Sequence, residues 1–298
     1  MSREGRLATW LFAPATSPRH CHRALAGGCD VAIIDLEDGV SRERKEEARR
    51  SARELLQGHV GRGRLAFVRI NSPARGEGRA DLEAVVLPQL AGVMVPKVGS
   101  PAQIEVLDWA LGRLERQRGV PEGQVAVLPL LETAAGLAAA GEIARSSPRV
   151  CALALGVADL AAALGARIGR DSPLLAAARA ELVVACRSAG VGPPLDPVHL
   201  DLQDLAGLEA EAVRARQLGF QGKACIHPRQ AEVVARVFAP TPEEREWAQR
   251  VLSAFAAAEQ QGRSSLVVDG EFVDYAVAAR ARRLLGFSDR VQPASRSQ

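Results

Sequence analysis

Lysine is nearly missing from this 298-residue chain: Lys45, Lys97 and Lys223 are the only three among 38 basic side chains. Cysteine is sparse and unpaired in pattern. Cys21, Cys29, Cys151, Cys186 and Cys225 form no CxxC motif, and an odd number suits no disulfide framework. A reducing cytoplasm is therefore the expected setting. No apolar run approaches the roughly 18 residues that a membrane span needs, so no membrane partner is expected. Charge of one sign is never blocked: 38 basic residues are interleaved with 35 acidic ones for a net charge of +3. That argues against a clustered basic face and so against a nucleic-acid partner. A glycine-rich phosphate loop after an early strand is also missing, since Gly61 and Gly63 precede a strand instead of following one. A leader reading of Arg3 and Arg6 before Leu7–Ala15 is opposed by Glu4, the short apolar core and Pro14. That stretch reads instead as a first buried strand.

What is present is the balance of a globular chain, 47% apolar and 24% charged. Short apolar runs recur at Thr9–Phe12, Val31–Asp35, Leu65–Ile70, Val93–Pro96, Val125–Leu130, Ala152–Leu155, Pro194–Asp196 and Gly222–Ile226. They are unbroken rather than alternating, the pattern of parallel strands covered on both faces. Helical stretches lie between them, among them Ser41–Leu56, Pro101–Arg116, Ser172–Ser188 and Asp204–Leu218. Eight such units in about 235 residues predict an α/β chain folded as a (β/α)8 barrel over 1–238. The seventh strand is the weak one, because Gly192-Pro193-Pro194 is poor strand sequence. A doubly wound open sheet is the alternative and lacks its phosphate loop. Beyond Phe238 the texture changes to a Thr241-capped helix, a hairpin around Asp269-Gly270 and a last helix from about Asp274. This 239–298 extension reads as a lid or an oligomer contact, with a frayed tail at 289–298.

Chemistry in such a barrel sits at the C-terminal ends of the strands. Those ends deliver Asp35, Glu37 and Asp38 from strand two, Arg69 and Asn71 from strand three, and Lys97 from strand four. Glu132 follows strand five, Asp159 strand six, Asp196 strand seven and His227 strand eight. Glu132 and Asp159 are the best metal candidates, as hard oxygen donors with no imidazole or thiolate near them. Mg²⁺ takes one or two protein carboxylates and leaves positions for a chelating 2-oxo or 2-hydroxy acid. Lys97 and Lys223 raise a Schiff-base aldolase as a competitor. His20-Cys21-His22 reads as neutral surface or first-turn packing, not as a zinc site, and the Cys225/His227 pair as buried-cysteine packing, not as a nucleophilic pair.

The strings Leu11-Phe12-Ala13-Pro14, DLEDGV at 35–40, VRIN at 68–71, VPK at 95–97, LLET at 130–133, GVADL at 156–160 and CIHPRQ at 225–230 keep one order and spacing. Together they resemble the HpcH/HpaI aldolase and citrate lyase family, and within it the citrate lyase β subunits. The resemblance implies Mg²⁺-dependent cleavage of a 3-hydroxyacyl thioester of the citryl-coenzyme A type, giving a 2-oxo acid such as oxaloacetate and an acetyl thioester. Malyl or citramalyl thioesters, the reverse condensation and a non-catalytic carrier-docking subunit are the alternatives. Glu132 and Asp159 fall on the family's metal ligands, and Arg69 on the arginine that binds substrate oxygens. Asp274 matches an acid/base aspartate, a residue that composition alone would not select. Glu37 joins the catalytic set as support for Arg69, and Arg19 and Arg23 are candidates for coenzyme A phosphates. The thioester's carrier could be coenzyme A or an acyl-carrier protein, and the implied assembly is a homotrimer or hexamer. Ala15, Arg23, Ala158 and Ala276 depart from the family's pattern, Ala276 standing where relatives carry proline.

Overall fold

A computed structural model describes residues 7–59, 64–74, 76–167 and 172–286. The leader-like Arg3 and Arg6, the glycines at 61 and 63, and the 289–298 tail lie outside those residues. Contacts divide the described chain into two compact units, 7–238 and 239–286.

In the larger unit, elements alternate along the chain. They run β1 (Thr9–Pro14), α1 (Pro18–Arg23), β2 (Val31–Asp35), α2 (Lys45–Gln57), β3 (Leu65–Arg69), α3 (Gly76–Val85), β4 (Gly92–Val95) and α4 (Pro101–Arg118). Then come β5 (Ala126–Leu131), α5 (Ala134–Ala138), α6 (Ala140–Arg145), β6 (Ala154–Leu155), α7 (Val157–Ala163) and α8 (Pro173–Ala189). The unit finishes with β7 (Leu195–Asp196), α9 (Leu205–Leu218), β8 (Gly222–Cys225) and α10 (Pro228–Phe238). The eight strands close in sequence order, and β8 pairs in parallel with β1 through Thr9–Lys223 and Leu11–Cys225. The expected (β/α)8 barrel is therefore the fold. The proline-led seventh strand shrinks to two residues, and its one pairing with β6 is Ala154–Leu195.

Period-two alternation sorts the strand side chains into two cores. One set fills the barrel: Trp10, Val31, Ile33, Phe67, Met94, Ala126, Leu128, Leu130, Ala154, Leu195 and Ala224. Trp10 meets Phe67 edge-on at 4.9 Å between ring centroids. The other set, including Leu11, Ala32, Ile34, Val68, Val93, Val127, Leu155 and Cys225, packs outward under the helices. Which set a strand's last residue joins decides what chemistry it can reach.

The smaller unit is built from α11 (Pro242–Gln260), β9 (Leu266–Val268), β10 (Glu271–Val273) and α12 (Tyr275–Leu284). Thr241 caps α11 reciprocally with Glu244: the Glu244 amide donates to Thr241 Oγ1 at 3.2 Å and the Thr241 amide to Glu244 Oε2 at 2.9 Å. Asp269 and Gly270 both take positive φ, 51° and 82°, as a two-residue hairpin turn requires. Phe255, Val251, Val273, Ala278 and Ala281 form its buried centre.

Candidate active site

Counting in steps of two from the barrel interior, Asp35 follows Ile33, Arg69 follows Phe67, and Glu132 follows Leu130. All three therefore share the inward face and form its top layer at the C-terminal rim. Asp35 is the anchor of that layer. Its carboxylate accepts the Glu37 amide at 2.9 Å and the Gly39 amide at 2.8 Å, which folds the DLEDG turn over it. It also receives Arg69 Nε and Nη2, both at 2.7 Å, in a two-pronged pair that fixes the guanidinium plane. The Phe12 ring lies 5.0 Å beneath. Burial works against the Arg69 charge, but Asp35, Glu37 and Asp38 outweigh it and hold its pKa above the usual arginine value.

Glu37 bridges the two cations of the mouth. Its Oε1 accepts from Lys97 Nζ at 2.9 Å and its Oε2 lies 3.0 Å from Arg69 Nη1. Burial still pushes its carboxyl up, against the pull of Arg69 and Lys97. Lys45 pins the same turn from α2, donating to the carbonyls of Leu36 at 2.6 Å and Glu37 at 2.7 Å. Asp38 stays exposed, 3.8 Å from Arg69.

Lys97 joins the two metal candidates. Its backbone amide donates to Glu132 Oε1 at 2.8 Å, and its ammonium lies 3.7 Å from Asp159 Oδ2. It achieves this in the left-handed region at φ 56°, which non-glycine residues enter only when held there. What holds it is the next turn, where Gln103 Oε1 accepts the Gly99 and Ser100 amides at 2.7 and 3.1 Å. Glycine at 136 lets α5 close against that turn, because any Cβ there would collide with the Val98 carbonyl. Burial works against the Lys97 ammonium as well, and the carboxylates of Glu37, Asp38 and Glu132 more than restore it.

Glu132 is 5% exposed, and burial pushes its carboxyl up to about 7, helped by the nearby charges of Glu37 and Asp159. Gly156 makes room for it: a Cβ there would sit 2.5 Å from Glu132 Oε2. Asp159 comes from the first turn of α7, one strand along, and is half exposed. The mouth thus carries Asp35, Glu37, Asp38, Glu132 and Asp159 against Arg69 and Lys97. A surplus of hard oxygen donors around a desolvated carboxyl is the environment a small divalent cation suits. Among the described residues no group of three His, Cys, Asp or Glu is arranged to hold a metal.

The other expected residues fall elsewhere. Arg19 and Arg23 lie exposed on α1, just past β1. Cys21 between them is buried with its thiol pushed up to about 12 by burial, while His20 and His22 on either side of it lie exposed. Cys225 is likewise buried and pushed up to about 12, and all five cysteines are free. Asp274 belongs to the smaller unit and caps α12, its Oδ1 accepting the Ala276 and Val277 amides at 2.9 and 3.0 Å. A proline at 276 would lack the first of these donors.

Asp196 requires a correction. It does not face the mouth: with Leu195 inside the barrel, Asp196 points outward, where Arg179 and Lys223 bind it at 2.7 and 2.6 Å. Lys223 is wholly buried there, with Glu211 as a second partner at 3.0 Å. It is therefore no mouth nucleophile, and Lys97, held as an ammonium by carboxylates, is a poor one. The Schiff-base alternative loses both its lysines. Two residues not picked out as site candidates tie the rim together: Asp81, which has no sequence signal, and Gln230, which ends the CIHPRQ string. Asp81, buried on α3, accepts the Asn71 amide and side chain at 2.7 Å each and Arg49 Nε at 2.7 Å. Gln230 links the β8 exit to the β7 exit, accepting the Ile226 amide at 2.9 Å and donating to the His199 carbonyl at 2.8 Å.

Comparison with known proteins decides the lineage. The family model described as HpcH/HpaI aldolase/citrate lyase matches residues 8–228. The chain belongs to that family. A relative named (3S)-malyl-CoA thioesterase from Cereibacter sphaeroides is 34% identical over 281 residues, covering 94% of each chain. Citrate lyase subunit beta of Escherichia coli K12 is 33% identical over 275 residues, covering 92% of this chain and 91% of the other. Among solved structures, CitE of Mycobacterium tuberculosis in complex with magnesium, acetoacetate and coenzyme A is 33% identical, with a TM-score of 0.75 over 95% of this chain and 98% of its own. Family membership thus covers the barrel that holds the mouth.

Proposed function

We propose that this family member is a Mg²⁺-dependent carbon–carbon lyase that splits a 3-hydroxyacyl thioester of the citryl-coenzyme A type. The products are a 2-oxo acid such as oxaloacetate and an acetyl thioester. The observation that carries this reading is that Glu132 and Asp159, from neighbouring strand ends, both meet one residue, Lys97, the first at its amide and the second at its ammonium, in a mouth with excess acid. In this reading those two carboxylates hold the Mg²⁺. When bound, the ion supplies Lewis acidity to the substrate's alcohol and a template for its chelating oxygens.

Arg69 is held flat by Asp35 and directs its charge at oxygens that become negative as the carbon–carbon bond breaks, where preorganised donors count most. Glu37 sets the spacing of Arg69 and Lys97. Asp274 is the acid/base that gives a proton to, or takes one from, the thioester carbon; the Ala276 and Val277 amides fix its carboxylate through Oδ1. The extension carrying it serves as lid or oligomer contact, in a homotrimer or hexamer that light scattering would measure. Arg19 and Arg23 are exposed and free to meet phosphates of coenzyme A, or of a prosthetic arm on an acyl-carrier protein. The unpaired cysteines suit a cytoplasmic setting, and no helix among the described residues is long and apolar enough to cross a membrane.

The similarity to the C. sphaeroides thioesterase favours a second reading, in which water cleaves the thioester and the carbon skeleton stays whole. Incubation of the purified chain and Mg²⁺ with citryl-, malyl- and citramalyl-coenzyme A separates the two. A 2-oxo acid without free thiol, abolished by chelator, is the expected result. Free coenzyme A thiol without a 2-oxo acid favours hydrolysis, and no turnover of any of the three overturns both readings.

A further inference from the structure

We infer that Lys97 is a built-in cation of the mouth, a positioning residue whose ammonium holds the acidic cluster together and leaves Asp159 when a divalent ion arrives. The inference deepens the proposed function and rests on its assignment of Glu132 and Asp159 as metal ligands.

Two features of Lys97 separate it from Arg69, the other cation of the mouth. Arg69 is locked, with two prongs on one carboxylate and 14% of its side chain exposed. Lys97 is 43% exposed, so its chain has solvent to move into. Its contacts are also unequal: Nζ is hydrogen-bonded to Glu37 at 2.9 Å but only near Asp159 at 3.7 Å. A doubly charged ion competing for the same carboxylate oxygens wins on Coulomb energy and repels the ammonium. The ammonium then retains Glu37 and gives up Asp159.

The backbone of the same residue does the opposite work. Its amide holds Glu132 Oε1 at 2.8 Å whatever the side chain does, leaving Oε2 on the side opened by Gly156. The left-handed φ of 56° is what allows one residue to present its amide to Glu132 and its side chain to Glu37 and Asp159. Lys97 therefore preorganises one ligand permanently and neutralises the other provisionally. Its net effect is to hold the acidic cluster together at the expense of metal affinity.

The test measures Mg²⁺ binding by calorimetry, and unfolding temperature with and without Mg²⁺, on the metal-free full-length chain. Lys97→Met removes the ammonium, and Lys97→Gly removes it while also relieving the left-handed backbone; both keep the amide donor. In both, Mg²⁺ should bind about tenfold more tightly than in the wild type, the order by which groups beside a metal change its affinity. Both should also melt lower without metal and show a larger Mg²⁺-induced rise in Tm; a merely structural lysine would lower both melting points equally. Unchanged or weaker Mg²⁺ binding in the variants, beside a wild type that binds, overturns this inference alone. A wild type that takes no Mg²⁺ overturns it together with the proposed function. Should neither variant fold, acylation of wild-type Lys97, followed by mass spectrometry, decides: Mg²⁺ should accelerate it severalfold, and no acceleration refutes the inference.

Discussion

Two charge clusters in the barrel are made of the same residue types and do opposite things. Behind β7 and β8, Asp196 and Glu211 are matched by Arg179 and Lys223, with His199 Nδ1 3.1 Å from Glu211. Burial works against the Glu211 anion, yet Lys223 and His199 hold its pKa below the usual carboxylate value. At the mouth, Glu132 and Glu37 are pushed the other way, chiefly because burial there outweighs the cations, with neighbouring carboxylates adding to it. The back cluster has its cations built in. The front cluster sets five carboxylates against two cations, and that surplus of acid makes it receptive to another.

The comparison can be broken at its strongest point first. Lys223→Met leaves Asp196 buried with half its partners, and removal of one member of a buried pair costs about 3–5 kcal/mol. Denaturant titration should record a loss of that order, while Mg²⁺ affinity of the folded protein stays within about twofold because the cluster faces away from the mouth. At the front the expected signs reverse. Glu132→Gln should lower lyase turnover by more than about 100-fold, beyond the loss typical of residues that only support a ligand. The same change should leave metal-free stability unchanged or higher, since it removes a desolvated acid among like charges. Equal destabilisation by both substitutions would erase the distinction.

Two finer measurements sharpen it. Gly156→Ala places a Cβ against both Oε2 and Cβ of Glu132 and must displace the side chain, so Mg²⁺ affinity should fall about 10-fold and Tm should fall with it. The last test uses pH. Because the Glu132 pKa is raised to about 7 in the folded chain, the native state keeps a proton that the unfolded state loses near 4.5. The unfolded chain then binds fewer protons, so metal-free stability declines as pH rises from about 4.5 to 7 and levels off above. Mg²⁺ competes with that proton, so its affinity should rise by up to about tenfold per pH unit below 7 and then flatten. A flat affinity between pH 5.5 and about 7.5 would remove Glu132 as the titrating ligand.

Much of this was readable from the chain. The eight apolar runs became strands with ends shifted by a residue or two, and Ser172, Asp204 and Thr241 sit at the helix starts their spacing suggested. Asp35, Arg69 and Glu132 were legible as rim residues because β2, β3 and β5 are five or six residues long. Alternation over that length tells inside from outside. Asp196 was misread for the same reason in reverse: β7 has two residues after a Gly-Pro-Pro run, and too short a strand carries no phase. Lys97 was visible as a strand-end lysine, but nothing local announces a left-handed backbone or a side chain shared by Glu37 and Asp159.

By itself, then, the sequence determined the barrel, its closure by eight parallel strands and the acids and bases delivered to the rim, because those follow from hydrophobic period and strand order. Tertiary structure alone decided which charges are satisfied and which are left wanting a partner. That depends on which face each strand end presents and on which groups from distant turns meet in a desolvated space, and neither is encoded within any single stretch of chain.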